Sequence, residues 1–288
     1  RLVGSEMCIR DSFNIAFNKN KVLELAENQS SLLSAAKFDQ NYNSQYSYIA
    51  KVGYPMGMMY GFIYEGTYKY EDFDKVGDTY TLKRNVPYFS SESNTQPGMP
   101  KYADLNGDGI IDDNDRTMIG NGMPKHTGGF TNNFEYKGFD LSIFFQWSYG
   151  NDVLNANRLF FENSNKTRDL NQYASYADRW TPENPESNIP RATDSGSNKV
   201  FSTRIIEDGS FLRLKTVSLG YTLPKQLTKK WKIDNARVFV AGQNLWTCTG
   251  YSGYDPEVSI REGALTPGLD FSAYPRAYSI SFGINLGF

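Results

Sequence analysis

The stretch Tyr278–Phe288 constrains the fold more than any other. Tyr278, Ile280, Phe282, Ile284, Leu286 and Phe288 alternate without exception with Ser279, Ser281, Gly283, Asn285 and Gly287. A period of two is the signature of a β-strand with two unlike faces. One face is wholly apolar or aromatic, and the other is wholly small or polar. A strand of a soluble sandwich can alternate too, but it seldom carries Gly, Ser or Asn at every position of one face, because its inner face must pack. The length suits a tilted strand crossing hydrocarbon, which takes about 9–11 residues. The greasy face would then touch lipid and the small polar face would line a wet interior.

The same pattern recurs upstream. In Asp140–Gly150, Leu141, Ile143, Phe145, Trp147 and Tyr149 form one face, Ser142, Gln146 and Ser148 lie opposite, and Phe144 is the one exception. Phe130, Phe134 and Tyr136 alternate with Thr131, Asn133, Glu135 and Lys137. Lys137-Gly138 reads as the hairpin turn between these two runs. Phe211–Tyr221 and Arg237–Trp246 are two further strands, and the first changes phase near Thr216, as a bulge would make it do. The connections alternate in length. The one before Tyr278 is long, Leu223–Asp234 is short, Asn151–Ser210 is long, Lys137-Gly138 is minimal, and the stretch from about Lys69 to Thr127 is long again. Membrane barrels have this parity, with long external loops and short periplasmic turns. Long irregular loops count against a compact soluble domain.

Nearer the start, Phe13–Asn18 and Lys21–Glu27 read as a hairpin around Lys19-Asn20. Tyr46–Val52 and Met58–Tyr68 read as two more strands. That makes about nine strands, too few to close a large barrel. The run from Arg1 through Cys8 to Ser12 resembles translated sequencing-adapter sequence. Residues 1–12 are therefore read as non-native, residues 13–288 as the protein proper, and the natural gene as extending upstream.

Bulk properties narrow the function. The 288 residues carry 30 basic and 32 acidic side chains, for a net charge of -2. A broad nucleic-acid footprint needs a basic surface, so nucleic acid is not expected as a partner. Mean hydropathy is -0.55, and no apolar run is long enough for a transmembrane helix. Barrel strands average to near-neutral hydropathy, so this leaves a membrane barrel open. Aromatic residues make 15% of the chain, with Tyr 20 and Phe 19, which suits the aromatic girdles of a barrel and equally an aromatic-rich soluble β-domain. Cys8 and Cys248 form neither a metal pattern nor a disulfide framework.

One motif carries candidate chemistry. Asp104-Leu-Asn106-Gly-Asp108-Gly-Ile110-Ile-Asp112-Asp-Asn-Asp115 fits the spacing of a calcium loop, with Asp115 in place of the terminal Glu. Calcium wants six to eight hard oxygens on a tight loop. Asp104, Asn106, Asp108, the Ile110 carbonyl, Asp112 and Asp115 are the candidate ligands, and the ion's role would be to order a long loop. A turn rich in Asp, Asn and Gly that caps its own backbone is the plainer alternative. His126, the only histidine, has no motif partner and reads as a loop residue. No nucleophile, zinc, phosphate-loop or dinucleotide motif is present, so the chain is not expected to be an enzyme. Lys225, Lys229, Lys230 and Lys232 read as a solvated periplasmic turn. Tyr251, Tyr254 and Tyr274 could stack on sugar rings or serve equally as girdle or packing residues.

Taken in order, several segments resemble the SusC/RagA family of TonB-dependent outer-membrane transporters. They are Lys101–Asp112, Ile119–Asn121, Thr127–Ser142, Phe211–Tyr221, Gly242–Leu245, Gly253–Glu257 and Tyr274–Arg276. The resemblance implies an all-β, antiparallel transmembrane β-barrel of about 22 strands with long extracellular loops, closed by an N-terminal plug. It implies import of oligosaccharides or peptides, energy coupling through TonB, a SusD-like lipoprotein lid, and a place in the outer membrane of a Gram-negative bacterium. The plug, the TonB-contacting segment and the signal find no counterpart here, so the match is to the C-terminal portion of the barrel. The competing reading is a surface-exposed calcium-binding β-domain that binds glycans. It accounts for the Asp-rich loop and the aromatics but not for the loop parity. A glycan hydrolase would need an acid pair that no motif places.

Overall fold

Six long strands, each alternating in the manner described, pair in chain order into one antiparallel sheet. They are β1 (Cys8–Phe17), β2 (His126–Tyr136), β3 (Phe139–Tyr149), β4 (Phe211–Thr222), β5 (Asn235–Thr249) and β6 (Ser279–Gly287). The computed structural model describes residues 7–26, 28–40, 42, 44–163, 171–193, 200–260 and 263–288.

The register joins like faces across the whole sheet. Phe134 stands opposite Leu141, Leu141 opposite Leu219, Leu219 opposite Val240, and Val240 opposite Phe282. On the other face the row is Ser142, Ser218, Ala241 and Ser281. Slipping one strand by a single residue would put its aromatic side chains into the polar row, so the alternation itself fixes the pairing. The apolar row is not covered by anything. Ile280, Phe282 and Ile284 are 57%, 82% and 68% exposed. A sandwich would bury these side chains against a second sheet; a membrane strand offers them to lipid.

The phase change near Thr216 is a bulge. The β3–β4 register skips Lys215, and across from it β5 sets two residues, Asn244 and Leu245, against one. Asn244 takes a φ of 52°, a left-handed conformation that Asn tolerates better than most side chains.

The connections keep the expected parity but not the expected strand count. Of the expected strand Lys21–Glu27, residues 21–26 are not a strand and Glu27 lies outside the described residues; β1 pairs with β2 instead. The Lys19-Asn20 turn gives way to a loop in which Asn20 Oδ1 accepts the Met56 amide at 2.7 Å. Tyr46–Lys51 is a strand, and Met58–Tyr68 breaks into Met58–Gly61 and Tyr64–Thr67. Neither belongs to the large sheet. Ser31–Ala35, Tyr46–Lys51, Met58–Gly61 and Thr117–Asn121 form a separate four-stranded sheet within the β1–β2 connection. Ser47, Tyr48, Ile49 and Ala50 are buried in succession, so this strand is covered on both faces. Among the described residues the large sheet therefore has six strands, against the about nine strands expected, and the first long loop runs from 18 to 125.

The dry core lies among these loops and not under the sheet. Ala36, Tyr42, Tyr48 and Met59 from the first long loop pack with Leu154, Ala156, Leu159, Phe201 and Ile205 from the second and Leu269 from the third. Burying each large side chain contributes about 1.5–3 kcal/mol. The three long connections thus fold as one platform at one end of the sheet.

Residues Cys8–Ser12 continue β1 beside β2. Their register puts Asp11 in an outward row with Asn132, Ile143, Val217, Gly242 and Ile280. Asn132 Nδ2 donates to Asp11 Oδ1 at 2.7 Å.

Candidate functional site

The candidate functional surface is the polar face of the sheet together with the loop platform above it. Alternation alone delivers Ser142, Gln146, Ser218 and Ser281 to that face. Near the short-turn end, Arg237 of β5 grips Asp140 of β3 across β4. Its Nε donates to Asp140 Oδ1 at 2.8 Å, and its Nη2 donates to the second carboxylate oxygen. Such a forked pair holds planar geometry as well as charge.

A second arginine ties the platform to the wall. Arg213 of β4 is buried, and its Nη2 donates to Asp255 Oδ1 at 2.5 Å. Its Nη1 reaches Glu257 Oε2 at 3.1 Å and its Nε reaches Thr247 Oγ1 at 3.0 Å. Arg276 Nη1 meets Glu257 at 2.9 Å, and its amide donates to Asp255 Oδ2 at 3.2 Å. Burial pushes the Asp255 carboxyl up, but the Glu257 amide and the Arg213 guanidinium outweigh it and hold the group below its usual range.

A further network links the second and third long loops. Buried Glu162 receives Arg158 at 3.0 Å, Arg204 at 2.8 Å and the Ser175 hydroxyl at 2.6 Å. Glu207 accepts from Arg158 Nε at 2.7 Å, from Asn155 at 2.9 Å, and from the Ser252 amide and hydroxyl at 2.8 and 2.9 Å. Burial raises the Glu207 carboxyl, yet these donors, led by Ser252, leave it lower than an ordinary glutamate. A carboxyl with a depressed folded pKa adds stability above its unfolded pKa and loses it as pH falls through the folded value. Acidification below about pH 4 is therefore expected to loosen the contact between these loops. Hydrogen exchange, corrected for intrinsic rates, should show amides of 150–163 and 250–260 losing protection there while the strands keep theirs. Equal protection at both pH values contradicts this.

The Asp-rich loop is organised by its own backbone. Gly107 and Gly109 adopt φ of 78° and 85°, where a Cβ would be strained. Asp104 accepts the Gly107 and Gly109 amides at 2.7 and 2.8 Å. Asp108 accepts the Ile110 amide at 2.8 Å, and Asp112 the Asn114 amide at 2.7 Å. Asp115 is fully buried and accepts amides of Leu105 at 2.7 Å, Asn106 at 3.3 Å and Asp112 at 2.8 Å. Among the described residues no three His, Cys, Asp or Glu side chains are close enough together to hold a metal ion by themselves. As placed, these carboxylates cap amides and do not converge on one point. Asp115→Ala would take the buried acceptor from three amides, and a hydrogen bond to a charged group contributes about 1.5–3 kcal/mol. Proteolysis within 104–116 should rise sharply in that variant, and unchanged resistance contradicts the assignment.

A cleft of about 450 Å³ opens between the second and third long loops. Its rim holds Tyr254 and Tyr274, 83% and 91% exposed, and Phe161, Tyr173, Asn157 and Asp270 lie deeper. Tyr251 is different: it is buried and donates to Asp270 Oδ2 at 2.6 Å. His126 is not a loop residue but the first residue of β2. It accepts from Trp147 Nε1 at 3.1 Å and stacks on Tyr149 at 4.9 Å, in an aromatic band at the platform end of the sheet.

Comparison with known proteins decides the family. No family model matches the chain. It is 33% identical over 284 residues to TonB-dependent receptor P3 of Formosa agariphila, covering 96% of this chain and 26% of that protein. It is 25% identical over 281 residues to the TonB-dependent receptor SusC of Bacteroides thetaiotaomicron, covering 96% of this chain and 24% of that one. The chain belongs to the TonB-dependent receptor family. Its fold matches the structure of the RagAB peptide transporter with a TM-score of 0.74 at 24% identity, over 98% of this chain and 27% of that one. The receptor chain spans about a quarter of the length of the curated relatives it matches. These relatives are named as receptors, in line with the expectation that the chain is not an enzyme.

The receptor's motifs now acquire positions. Phe211–Tyr221 is β4 itself, and its Arg213 receives Asp255 and Glu257 of the Gly253–Glu257 motif and, through Glu257, Arg276 of Tyr274–Arg276. Three stretches far apart in sequence are therefore one ionic cluster. Sequence reasoning quoted all three and missed that they meet. It gave no role to Glu162 or Glu207. Apart from Arg158–Glu162, an i,i+4 pair, the partners lie far apart in sequence, and no local spacing reports such pairings.

Proposed function

We propose that this chain is the C-terminal portion of the barrel of an outer-membrane active transporter. In the whole protein it would import oligosaccharides or peptides, draw energy through TonB, and carry a SusD-like lipoprotein lid over its loops. One observation carries the reading. A six-stranded antiparallel meander exposes a continuous apolar face, keeps a polar face opposite, and sends every long connection to the same end. Such a sheet is stable only where hydrocarbon replaces the missing second layer. Among the described residues no helix is long and apolar enough to cross a membrane, and a β-barrel needs none.

On this reading the short-turn end faces the periplasm and the loop platform faces outward. The Arg213 cluster holds the third loop against the wall, so the path along the polar face stays open and defined. The cleft between Tyr254 and Tyr274 is where a cargo molecule would first meet aromatic faces with amides and a carboxylate behind them, an arrangement suited to small-molecule recognition. The competing glycan-binding surface domain has no use for the exposed Phe282 row. Extraction of the full-length polypeptide tests the choice. Recovery from membranes only with detergent is expected, and recovery in the aqueous phase without it rejects the transporter.

Calcium binding by Asp104, Asn106, Asp108, Ile110, Asp112 and Asp115 is a separate proposal. The loop spacing and the tight Gly107–Gly109 turn support it, and the carboxylate oxygens keep unused lone pairs. Binding would require the side chains to draw together around the ion. Metal analysis should find calcium in the full-length protein and lose it in Asp104→Ala/Asp108→Ala, and equal content in both refutes the site.

Residues 1–12 are proposed to be foreign to the receptor. Asp11 stands at mid-height on the outward face, where a carboxylate opposes the lipid-facing character of every neighbouring row. Backbone pairing accepts any sequence, so the ladder to β2 does not argue otherwise. Sequencing the natural locus upstream of Phe13 decides this: an apolar residue at the position of Asp11 supports it, and the same Asp refutes it.

A further inference from the structure

The short connection between β4 and β5 carries Lys225, Lys229, Lys230 and Lys232. Two apolar side chains stand among them. Leu227 and Trp231 are 55% and 67% exposed. The turn is well built: buried Thr228 accepts the Ile233 amide at 3.3 Å, the Leu223 amide donates to Ala236 O at 2.9 Å, and the Asp234 amide donates to Gly287 O at 2.8 Å. It is therefore pinned to both β5 and the end of β6. A turn held this firmly for solvent alone would have no reason to present an indole and a leucine.

Its surroundings identify the level at which it sits. The Thr222 amide donates to Gly138 O at 2.7 Å, so the Lys137-Gly138 turn adjoins it. Phe139 and Tyr221 pack there as a tilted pair with ring centres 4.5 Å apart. Aromatic side chains at a strand end mark the boundary between hydrocarbon and headgroups. Asp234 is the one acidic residue of the turn, and among the described residues none of the four lysines lies within ion-pair distance of a carboxylate. Unpaired ammonium groups around an interfacial tryptophan complement the phosphates of an anionic lipid layer. The stems pack on apolar surface while the heads reach the charge.

We propose that the 223–234 turn is a docking surface for anionic phospholipid headgroups, in the leaflet that meets the short-turn end of the sheet. The proposal rests on reading the sheet as membrane-spanning.

The test uses the full-length receptor in nanodiscs of phosphatidylcholine with phosphatidylglycerol as the minority lipid. Photo-crosslinking residues are placed at Leu227→p-benzoyl-phenylalanine and, separately, at Phe282→p-benzoyl-phenylalanine. At position 227 the phosphatidylglycerol adducts are expected to exceed their mole ratio about fivefold, the factor supplied by roughly one well-placed lysine at an anionic surface. At position 282, on the plain lipid face, adducts should follow the mole ratio. Adding Lys225→Gln, Lys229→Gln, Lys230→Gln and Lys232→Gln together should return position 227 to the mole ratio. Adducts at 227 in mole ratio without those changes, or enrichment that survives them, overturns the proposal. So does a crosslink from 227 to protein alone. Lipid adducts at 282 with none at 227 leave the membrane reading standing and remove this one, and an absence of lipid adducts at 282 removes both.

Discussion

Phe282→Arg is expected to lower the stability of the folded receptor in a bilayer by about 2–4 kcal/mol, the cost of a cation on a lipid face near mid-depth. Phe282 lies in the outward row with Val240 and Leu219. Ser281→Arg, one residue away on the polar face, should cost far less, since its side chain would meet water. Folding titrations into lipid vesicles read both. The contrast matters more than either value. In water, replacing a side chain that is 82% exposed by arginine should be close to neutral. A neutral result in vesicles would mean that lipid does not touch this face.

The second large effect concerns the buried pair of Arg213 and Asp255. Asp255→Ala leaves a guanidinium buried beside Thr247 and Glu257 alone, and removing one partner of a buried pair costs about 3–5 kcal/mol. Its consequence should be local: the third long loop, 250–278, comes off the wall while the strands persist. Protease sensitivity confined to that loop, together with reduced cargo uptake, is the expected outcome. A double change, Arg213→Met/Asp255→Leu, removes both charges and should recover much of the stability, because a buried ion pair is itself worth little against well-packed apolar groups. If the double variant is as damaged as the single one, the loss comes from shape and not from charge.

The large sheet was legible because alternation is a local property. Every second residue of Tyr278–Phe288 reports a face, and the same holds in β2 to β5. The phase slip at Thr216 was equally local, and it is the bulge at Lys215. The loop strands misled for the same reason. Tyr46–Lys51 and Met58–Gly61 have strand-forming residues, but what separates them from wall strands is the covering supplied by Phe201, Leu154 and Leu269 from distant loops. Residues 21–26 show the opposite failure: a plausible hairpin lost to β2, whose Phe130 and Phe134 offered β1 a better partner face. His126 was placed in a loop because no period begins at a single residue. The ionic cluster on Arg213 was invisible for a stronger reason. Its members come from 213, 255–257 and 276, and only the sheet register and the fold of the third loop bring them together. Legibility therefore stops where contacts stop being local.

The alternation of β6 is the claim on which the rest stands, and one measurement addresses it directly. In a full-length background with Cys248→Ser, and with Cys8→Ser wherever that residue is retained, which removes the free thiols of this segment, single cysteines are placed in turn from 279 to 286 and spin-labelled in lipid vesicles. Collision with dissolved oxygen should be high at 280, 282, 284 and 286. Collision with a water-soluble nickel reagent should be high at 279, 281, 283 and 285. Labels that are all reached by the nickel reagent, or that show no alternation, would mean that this strand does not separate lipid from water.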